Sequence, residues 1–324
     1  MLCDRCRRAS KTSSIISRVK SSKSQRDYPR ALVAHHGVNA TLRRLPCVTT
    51  MAIEDGVYDT VVELRPTYFL ERKRRASEQR TSPAPIGKAA LIILNSPLTD
   101  IEYFRRLHAH SSFCICADGG ANRLHDLLTS GLPNSRWQEG LKTALPELIH
   151  GDLDSLDDGV RKRYEQLGVK ITHDPDQYST DFGKAVKVAL KRVSDAKDVL
   201  VLGSLGGRVD QGIGLLHELY REQKQKHPEV RFWLFSEASV SVMLQPGTTL
   251  LHMPLSGGLI KRNVGILPIY GPAQITLKGF EWDVENWSTE MGGSVSTSNH
   301  IAADQLTVTT DKEVLFTVER ATNR

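Results

Sequence analysis

The feature that most constrains this chain is an alternation repeated between residues 89 and 224. A short apolar run is followed by a loop of Asp, Gly and small polar residues, and then by a helical period. Ala89–Leu94 ends at Asn95-Ser96-Pro97, and Phe113–Ala117 ends at Asp118-Gly119-Gly120. Leu148-Ile149 leads into His150-Gly151-Asp152-Leu153-Asp154-Ser155. Val169–Thr172 precedes the loop from Asp174 to Asp181, and Asp198–Leu202 runs into Gly203-Ser204-Leu205-Gly206-Gly207-Arg208-Val209-Asp210. Helices are predicted over Ile101–His110, Ala121–Thr129, roughly 158–167 and 211–224. Another starts at Phe182 and carries Phe182, Val186, Ala189, Leu190 and Val193 on one face. Such alternation predicts an α/β fold, a mostly parallel sheet with helices on both faces. In these sheets ligands bind at the carboxyl ends of the strands, which is where the acids and glycines recur.

Those residue types suit one chemistry. Asp118, Asp152, Asp154 and Asp181 gathered on one sheet edge would repel one another unless a cation sat among them. Oxygen-only ligands suit Mg2+, which is typically shared between a few carboxylates and substrate phosphates. Gly119, Gly120 and the glycines of 203–207 let backbone N–H groups approach phosphate oxygens, and Arg208 can neutralise phosphate charge. Together these predict metal-dependent phosphoryl or nucleotidyl transfer. Taken singly, Asp154 and Asp181 suit helix starts equally well. An EF-hand is excluded because Leu156 occupies its third ligand position. The chain carries no P-loop, no dinucleotide fingerprint after a strand and no Ser/His/Asp signature.

Beyond residue 230 the helical period gives way to short strand-like runs. They are Arg231–Phe235, Val240–Leu244, Thr248–His252, Gly265–Tyr270, Ala273–Leu277, Asp304–Thr309 and Val314–Glu319, divided by Gly- and Pro-containing turns. Their spacing predicts a smaller antiparallel β-sandwich following the α/β part. Gly279-Phe280-Glu281-Trp282 and Val295-Ser296-Thr297-Ser298-Asn299 stand out within it. An aromatic face with nearby hydroxyls and an amide can hold a flat heteroaromatic ring, though a core tryptophan beside a polar turn would read the same way.

Charge separates the amino-terminal stretch from the rest. Residues 1–50 carry eleven Lys/Arg against Asp4 and Asp27, a net of +9, so residues 51–324 sum to −3 of the whole chain's +6. The basic surplus is therefore no argument for nucleic-acid binding by the main body. The Ser- and Arg-rich stretch 1–50 reads as a disordered extension, either an organelle (mitochondrial) import segment or a dispensable tail ahead of a start at Met51. Cys3-x-x-Cys6 has no second ligand pair near it. The expected organisation is thus the extension 1–50, a partly ordered lead-in and linker 51–86, an α/β catalytic domain 87–230 and a β-sandwich 231–324. No run reaches the ~18–20 apolar residues of a membrane span. Five cysteines are too few for a disulfide scaffold, and Cys114 and Cys116 within an apolar run fit a cytoplasmic, reducing location.

Read together, LIILNSPL (91–98), CADGGANRL (116–124), GDLDS (151–155), PDQYSTDF (175–182), LGSLGGRVDQ (202–211), GILP (265–268) and VSTSN (295–299) resemble the thiamine pyrophosphokinase family, eukaryotic type, in the family's order and over roughly residues 89–320. The resemblance implies an ATP- and Mg2+-using α/β domain joined to a thiamine-binding β-sandwich, in a homodimer with active sites at the subunit interface. It implies transfer of pyrophosphate from ATP to the thiamine hydroxyl, giving thiamine diphosphate and AMP. By resemblance Asp152, Asp154 and Asp181 organise Mg2+, with Asp118 nearby, and Arg208 acts with them. Gly119, Gly120, Asn122, Gln177, Thr180, Asp210 and Gln211 surround ATP, Trp282 stacks on thiamine, and Ser296, Ser298 and Asn299 line its pocket. Two departures stand out: the segment 130–147 with Trp137 is longer than in animal members, and the basic extension lies outside the family core. The rival readings are another metal-dependent, nucleotide-using transferase built on Asp152-x-Asp154, and a non-enzymatic binding module that works through its basic tail.

Overall fold

The computed structural model describes residues 48–52, 58–72 and 88–322. The basic extension up to residue 47 and the Ser82–Pro85 linker lie outside the described residues. In chain order the strands and helices are β1 (Val48–Ala52), β2 (Tyr58–Leu64), β3 (Ala89–Ile93), α1 (Ile101–His110), β4 (Ser111–Ala117), α2 (Gly120–Thr129), α3 (Trp137–Leu141), β5 (Leu148–Gly151), α4 (Asp158–Gln166), β6 (Lys170–His173), α5 (Asp181–Arg192), β7 (Asp198–Leu202) and α6 (Val209–Tyr220). A π-helical turn, Arg221–Lys226, extends α6. Then come β8 (Arg231–Phe235), β9 (Ser239–Leu244), β10 (Gly247–His252), β11 (Ile260–Leu267), β12 (Ala273–Lys278), β13 (Val284–Thr289), β14 (Ser296–His300), β15 (Gln305–Thr310) and β16 (Val314–Arg320).

Ten strands form one sheet in the order β14-β11-β16-β9-β8-β7-β3-β4-β5-β6. From β8 to β6 every pairing is parallel, and from β8 to β14 every pairing is antiparallel. The second sheet runs β1-β2-β10-β15-β12-β13, antiparallel except where β2 meets β10. The expected division at 230/231 therefore falls between neighbouring strands of one sheet. Among the described residues no helix is long and apolar enough to cross a membrane.

The pleat explains why both faces of the large sheet are covered. Along β3, Leu91 and Ile93 face a core shared with Phe104, Leu107, Leu124 and Tyr164 from α1, α2 and α4. Ala90 and Ile92 face the other way, onto Phe182, Val186 and Ala189 of α5 and Leu215 and Leu219 of α6. All five β3 side chains are buried, and Leu91, Ile92 and Ile93 each contribute ~1.5–3 kcal/mol. The first core continues without a break into the sandwich, where Leu251, Ile275, Leu306 and Val308 of the smaller sheet meet Val242, Val264, Phe316 and Val318.

Differences from expectation have local causes. β11 starts at Ile260 and stops at Leu267, short of the expected Tyr270, because Pro268 cannot donate to the ladder. β13 and β14 were not expected as strands. β13 has a left-handed residue, Asn286 at φ 46°, that breaks its alternation, and β14 is polar and pairs only along the sheet edge with β11. The segment 130–147 is held to α4 by Arg163. Its guanidinium lies 5.2 Å from the Trp137 ring and donates to Asn134 Oδ1 (2.5 Å) and His125 Nε2 (2.7 Å).

Candidate active site

The loops after β3, β4, β5, β6 and β7 all leave the same edge of the parallel sheet, and packing shows that they touch in series. A Cβ added at Gly203 would lie 3.1 Å from the Leu94 carbonyl oxygen. One added at Gly119 would lie 2.3 Å from Asn95 Nδ2 and 3.1 Å from Ser155 Cβ. One added at Gly151 would reach Asp181 Oδ1 at 2.8 Å and Asp118 Cβ at 2.9 Å. Glycine at 151 is thus what lets two carboxylate-bearing loops close on each other. Gly120 has a different reason: a side chain there would strike the Ile93 carbonyl oxygen at 2.2 Å, so α2 packs on β3 only without one.

Asp118, Asp152 and Asp154 converge, each offering a carboxylate oxygen within 4.8 Å of the other two. Asp118, 3% exposed, accepts from the Ser155 amide at Oδ2 (3.1 Å), while its buried Oδ1 has no partner. Asp152 Oδ1 accepts from the Asp154 amide (3.4 Å), and Asp154 Oδ1 from the Ser155 hydroxyl (3.0 Å). Asp181 is joined to this trio from behind, its Oδ1 accepting from the Asp152 amide at 3.4 Å. Of the four aspartates gathered by the sequence reading, Asp118, Asp152 and Asp154 thus form the convergent set and Asp181 adjoins it. An oxygen-only trio with one orphaned, buried oxygen suits a hard divalent cation.

Electrostatics fit this picture. Burial pushes the Asp118 carboxyl up, the charge of Asp181 adds to the shift, and hydrogen bonds from Ser155 and Gly119 oppose it. Burial also raises Asp181, followed by the repulsion of Asp152, against the pull of Lys184. Among the described residues four non-glycines adopt positive φ, and three lie in these loops: Asp118 (43°), Leu153 (65°) and Leu205 (47°). Strain of that kind is held where the surrounding structure over-determines it, commonly at functional sites.

Other expected residues take varied positions. Thr180 caps α5, its Oγ1 accepting from the Gly183 amide (3.1 Å), and Gln177 is exposed in the preceding turn. Arg208 precedes α6 and pairs with Asp210 (Nε to Oδ1, 3.1 Å), both exposed, with Gln211 on the first turn. Asn122 does not offer a free amide. Its Nδ2 donates to the Ser155 carbonyl (2.7 Å) and its Oδ1 accepts from the Asp157 amide (3.1 Å), so it clamps the acidic loop. Asn299, 4% exposed, is used in the same way. Its Oδ1 accepts from the Trp282 amide (3.1 Å) and its Nδ2 donates to the Trp282 carbonyl (2.9 Å). Trp282, its backbone held in this way, is 53% exposed, with the His300 ring 5.0 Å from its own, and Ser296 and Ser298 lie on the adjacent β14.

One residue beside the carboxylates went unread in the sequence. Lys184, on the otherwise apolar buried face of α5, places Nζ 3.5 Å from Asp181 Oδ1 and 3.7 Å from Asp152 Oδ2. Its signal was a lysine three residues after an aspartate, inside a stripe formed by Phe182, Ala185, Val186 and Ala189.

Residues 104–231 match the family model of the thiamin pyrophosphokinase catalytic domain, and residues 248–315 that of its vitamin B1 binding domain. The chain belongs to the thiamine pyrophosphokinase family. Thiamine pyrophosphokinase 1 of Arabidopsis thaliana is 33% identical over 235 residues, covering 71% of this chain and 85% of the relative. Thiamine pyrophosphokinase of Saccharomyces cerevisiae is 28% identical, covering 76% and 90%. The fold is shared with the crystal structure of yeast thiamin pyrophosphokinase (TM-score 0.67, 24% identity, 80% of this chain and 90% of that one). It is shared also with thiamin pyrophosphokinase from Candida albicans (0.65, 23%, 85% and 98%). The family's fold is an α/β sheet flanked by helices, with a smaller antiparallel sheet, and this chain has it.

Proposed function

We propose that this chain transfers the terminal pyrophosphoryl group of ATP to the hydroxyl of thiamine, giving thiamine diphosphate and AMP. The observation that carries the proposal is the convergence of Asp118, Asp152 and Asp154 on the sheet edge that also carries the glycine-rich 203–208 loop, in a family member with a separate exposed, clamped tryptophan. The thiamine hydroxyl oxygen attacks the β-phosphorus, the bond from that phosphorus to the α,β-bridging oxygen breaks, and AMP leaves with the bridging oxygen. Asp118, Asp152 and Asp154 would hold Mg2+, with Asp181 behind them. When bound, the ion supplies neutralisation of phosphate charge. The same carboxylates are poor bases while they serve as ligands, so the hydroxyl proton is assigned to none of them.

The protein's own part is orientation. The Arg208–Asp210 pair is exposed and hence weak, which leaves the guanidinium ready to exchange Asp210 for phosphate oxygens. Gln177 and Thr180 in the loop after β6, and Gln211 on the first turn of α6, would border the nucleotide. Trp282 would stack on a thiamine ring, with Ser296 and Ser298 beside it, and Asn299 would act by holding the Trp282 backbone rather than by touching the ligand.

We infer further that the working site is shared between two copies of the chain. Trp282 is tied to β14, at one edge of the large sheet, while Asp118 follows β4, seven strand spacings away. At roughly 4.8 Å per spacing that separation is about 34 Å along the sheet, far beyond the reach of one thiamine molecule. A two-fold homodimer that sets one copy's Trp282 against the other's acidic loops would supply both halves. Exposed Val209 and Ile213 on α6, and Met291 in the turn after β13, are apolar surface that such an assembly would cover.

Trp282→Ala is expected to raise the KM for thiamine on the order of tenfold while leaving that for ATP nearly unchanged. Initial rates against each substrate check this, and equal rises for both would count against stacking.

A further inference from the structure

We propose that Lys184 is a resident countercation of the acidic site. In this role it positions Asp152 and Asp181 by charge and holds down the site's affinity for a free divalent cation, so that the metal enters together with the nucleotide's phosphates. The inference rests on the reading of these loops as the metal- and ATP-handling edge.

Lys184 is 2% exposed, and a buried ammonium persists only where opposite charge offsets its lost hydration. Its two partners, at 3.5 and 3.7 Å, lie beyond good hydrogen-bond length, so the attachment is Coulombic and shared rather than a directed bond to one acid. Among the described residues Asp152 and Asp181 are the acids within ion-pair reach of Lys184 Nζ, and Asp176 feels its charge from farther off. Behind Lys184 lies a cleft of about 330 Å3 that also contains Asp174, Asp176, Glu218 and Glu222. Glu222 is paired with Lys226 (2.6 Å) and His227 (3.7 Å), and Glu218 with Arg221 (2.8 Å). Asp176 accepts from the Ser179 hydroxyl (2.6 Å), and Asp174 lies 3.8 Å from His150 Nε2. The lysine charge therefore falls on Asp152, a member of the convergent trio, and on Asp181, whose amide-accepting oxygen fixes the Asp152 backbone.

Two consequences follow from this placement. With Lys184 present Asp152 and Asp181 have an opposite charge within 3.7 Å without a bound metal. Any cation taken up by Asp152 must also share that carboxylate with an ammonium, and in a poorly screened interior the two positive charges oppose each other. Phosphates brought with the metal offset that opposition, since they add negative charge on the open side.

The sign of the effect separates this role from a merely structural one. Binding of Mn2+ alone, without nucleotide, is measured by electron paramagnetic resonance for the full chain and for Lys184→Met, Lys184→Gln and Lys184→Arg. Thermal unfolding verifies each fold, and the glutamine variant stands in if methionine disrupts packing. The neutral variants are expected to bind Mn2+ about tenfold tighter or more, while Lys184→Arg stays within about threefold of the parent. With Mg2+ and ATP, the neutral variants are expected to lose turnover by about tenfold or more. Unchanged or weaker Mn2+ binding in both neutral variants would overturn the inference. If the parent still forms thiamine diphosphate and AMP in that case, the functional reading stands and only the role of Lys184 falls. A parent that forms neither product removes the reading and the inference together.

Discussion

Asp152→Asn is expected to lower turnover by a factor of about a hundred or more while leaving the fold intact. The substitution keeps shape and removes charge at the carboxylate that belongs to the convergent trio and also faces Lys184. Losing one ligand charge in a site whose work is positioning and neutralisation removes stabilisation that the transition state needs most. Asp152 is not in the apolar core, so the unfolding transition should stay within a few degrees of the parent's. Retention of more than about a tenth of the rate, equivalent to less than ~1.4 kcal/mol of barrier, would contradict the metal-holding role.

The second large effect is expected from mixing two impaired variants. If each site takes its carboxylates from one copy and its tryptophan from the other, a dimer pairing one Asp152→Asn chain with one Trp282→Ala chain holds one doubly damaged site and one intact site. Random reassortment makes half of the dimers mixed, so activity at low thiamine should recover to about a quarter of the parental value. Alone, Asp152→Asn would show about a hundredth of the parental rate or less, and Trp282→Ala about a tenth at low thiamine. If every chain carried a complete site, the mixture would simply average its two parents. Recovery therefore tests the roughly 34 Å separation argued from the strand order.

Much of this organisation was legible before any coordinates, because it rests on short-range rules. Period-2 and period-3.6 patterns located β3, β4, β7 and α1, and loops of Asp and Gly after apolar runs marked the functional sheet edge. What was not legible depended on three-dimensional neighbours. No local signal says that the Asn122 amide is spent on Ser155 and Asp157, or Asn299 on Trp282, since both look as available as any polar residue in a motif. Asp118 joins Asp152 and Asp154 through a contact between positions 33 residues apart, Gly151 and Asp118, and the same glycine admits Asp181 behind them. β14 stood out as a possible ligand element but not as a strand, because its side chains are polar and only pairing with β11 makes it one. The single sheet across residue 230 was hidden for a related reason. A change from helical to strand periodicity resembles a domain boundary, whereas β8 simply adds to β7 and the sheet turns antiparallel from there.

The most direct test of the central claim is to incubate the purified full chain with ATP, Mg2+ and thiamine and to separate the products by chromatography. The account predicts AMP and thiamine diphosphate in equal amounts, with neither formed when thiamine is omitted. ADP with thiamine monophosphate would contradict attack at the β-phosphorus. No product from folded protein would contradict the assigned function itself.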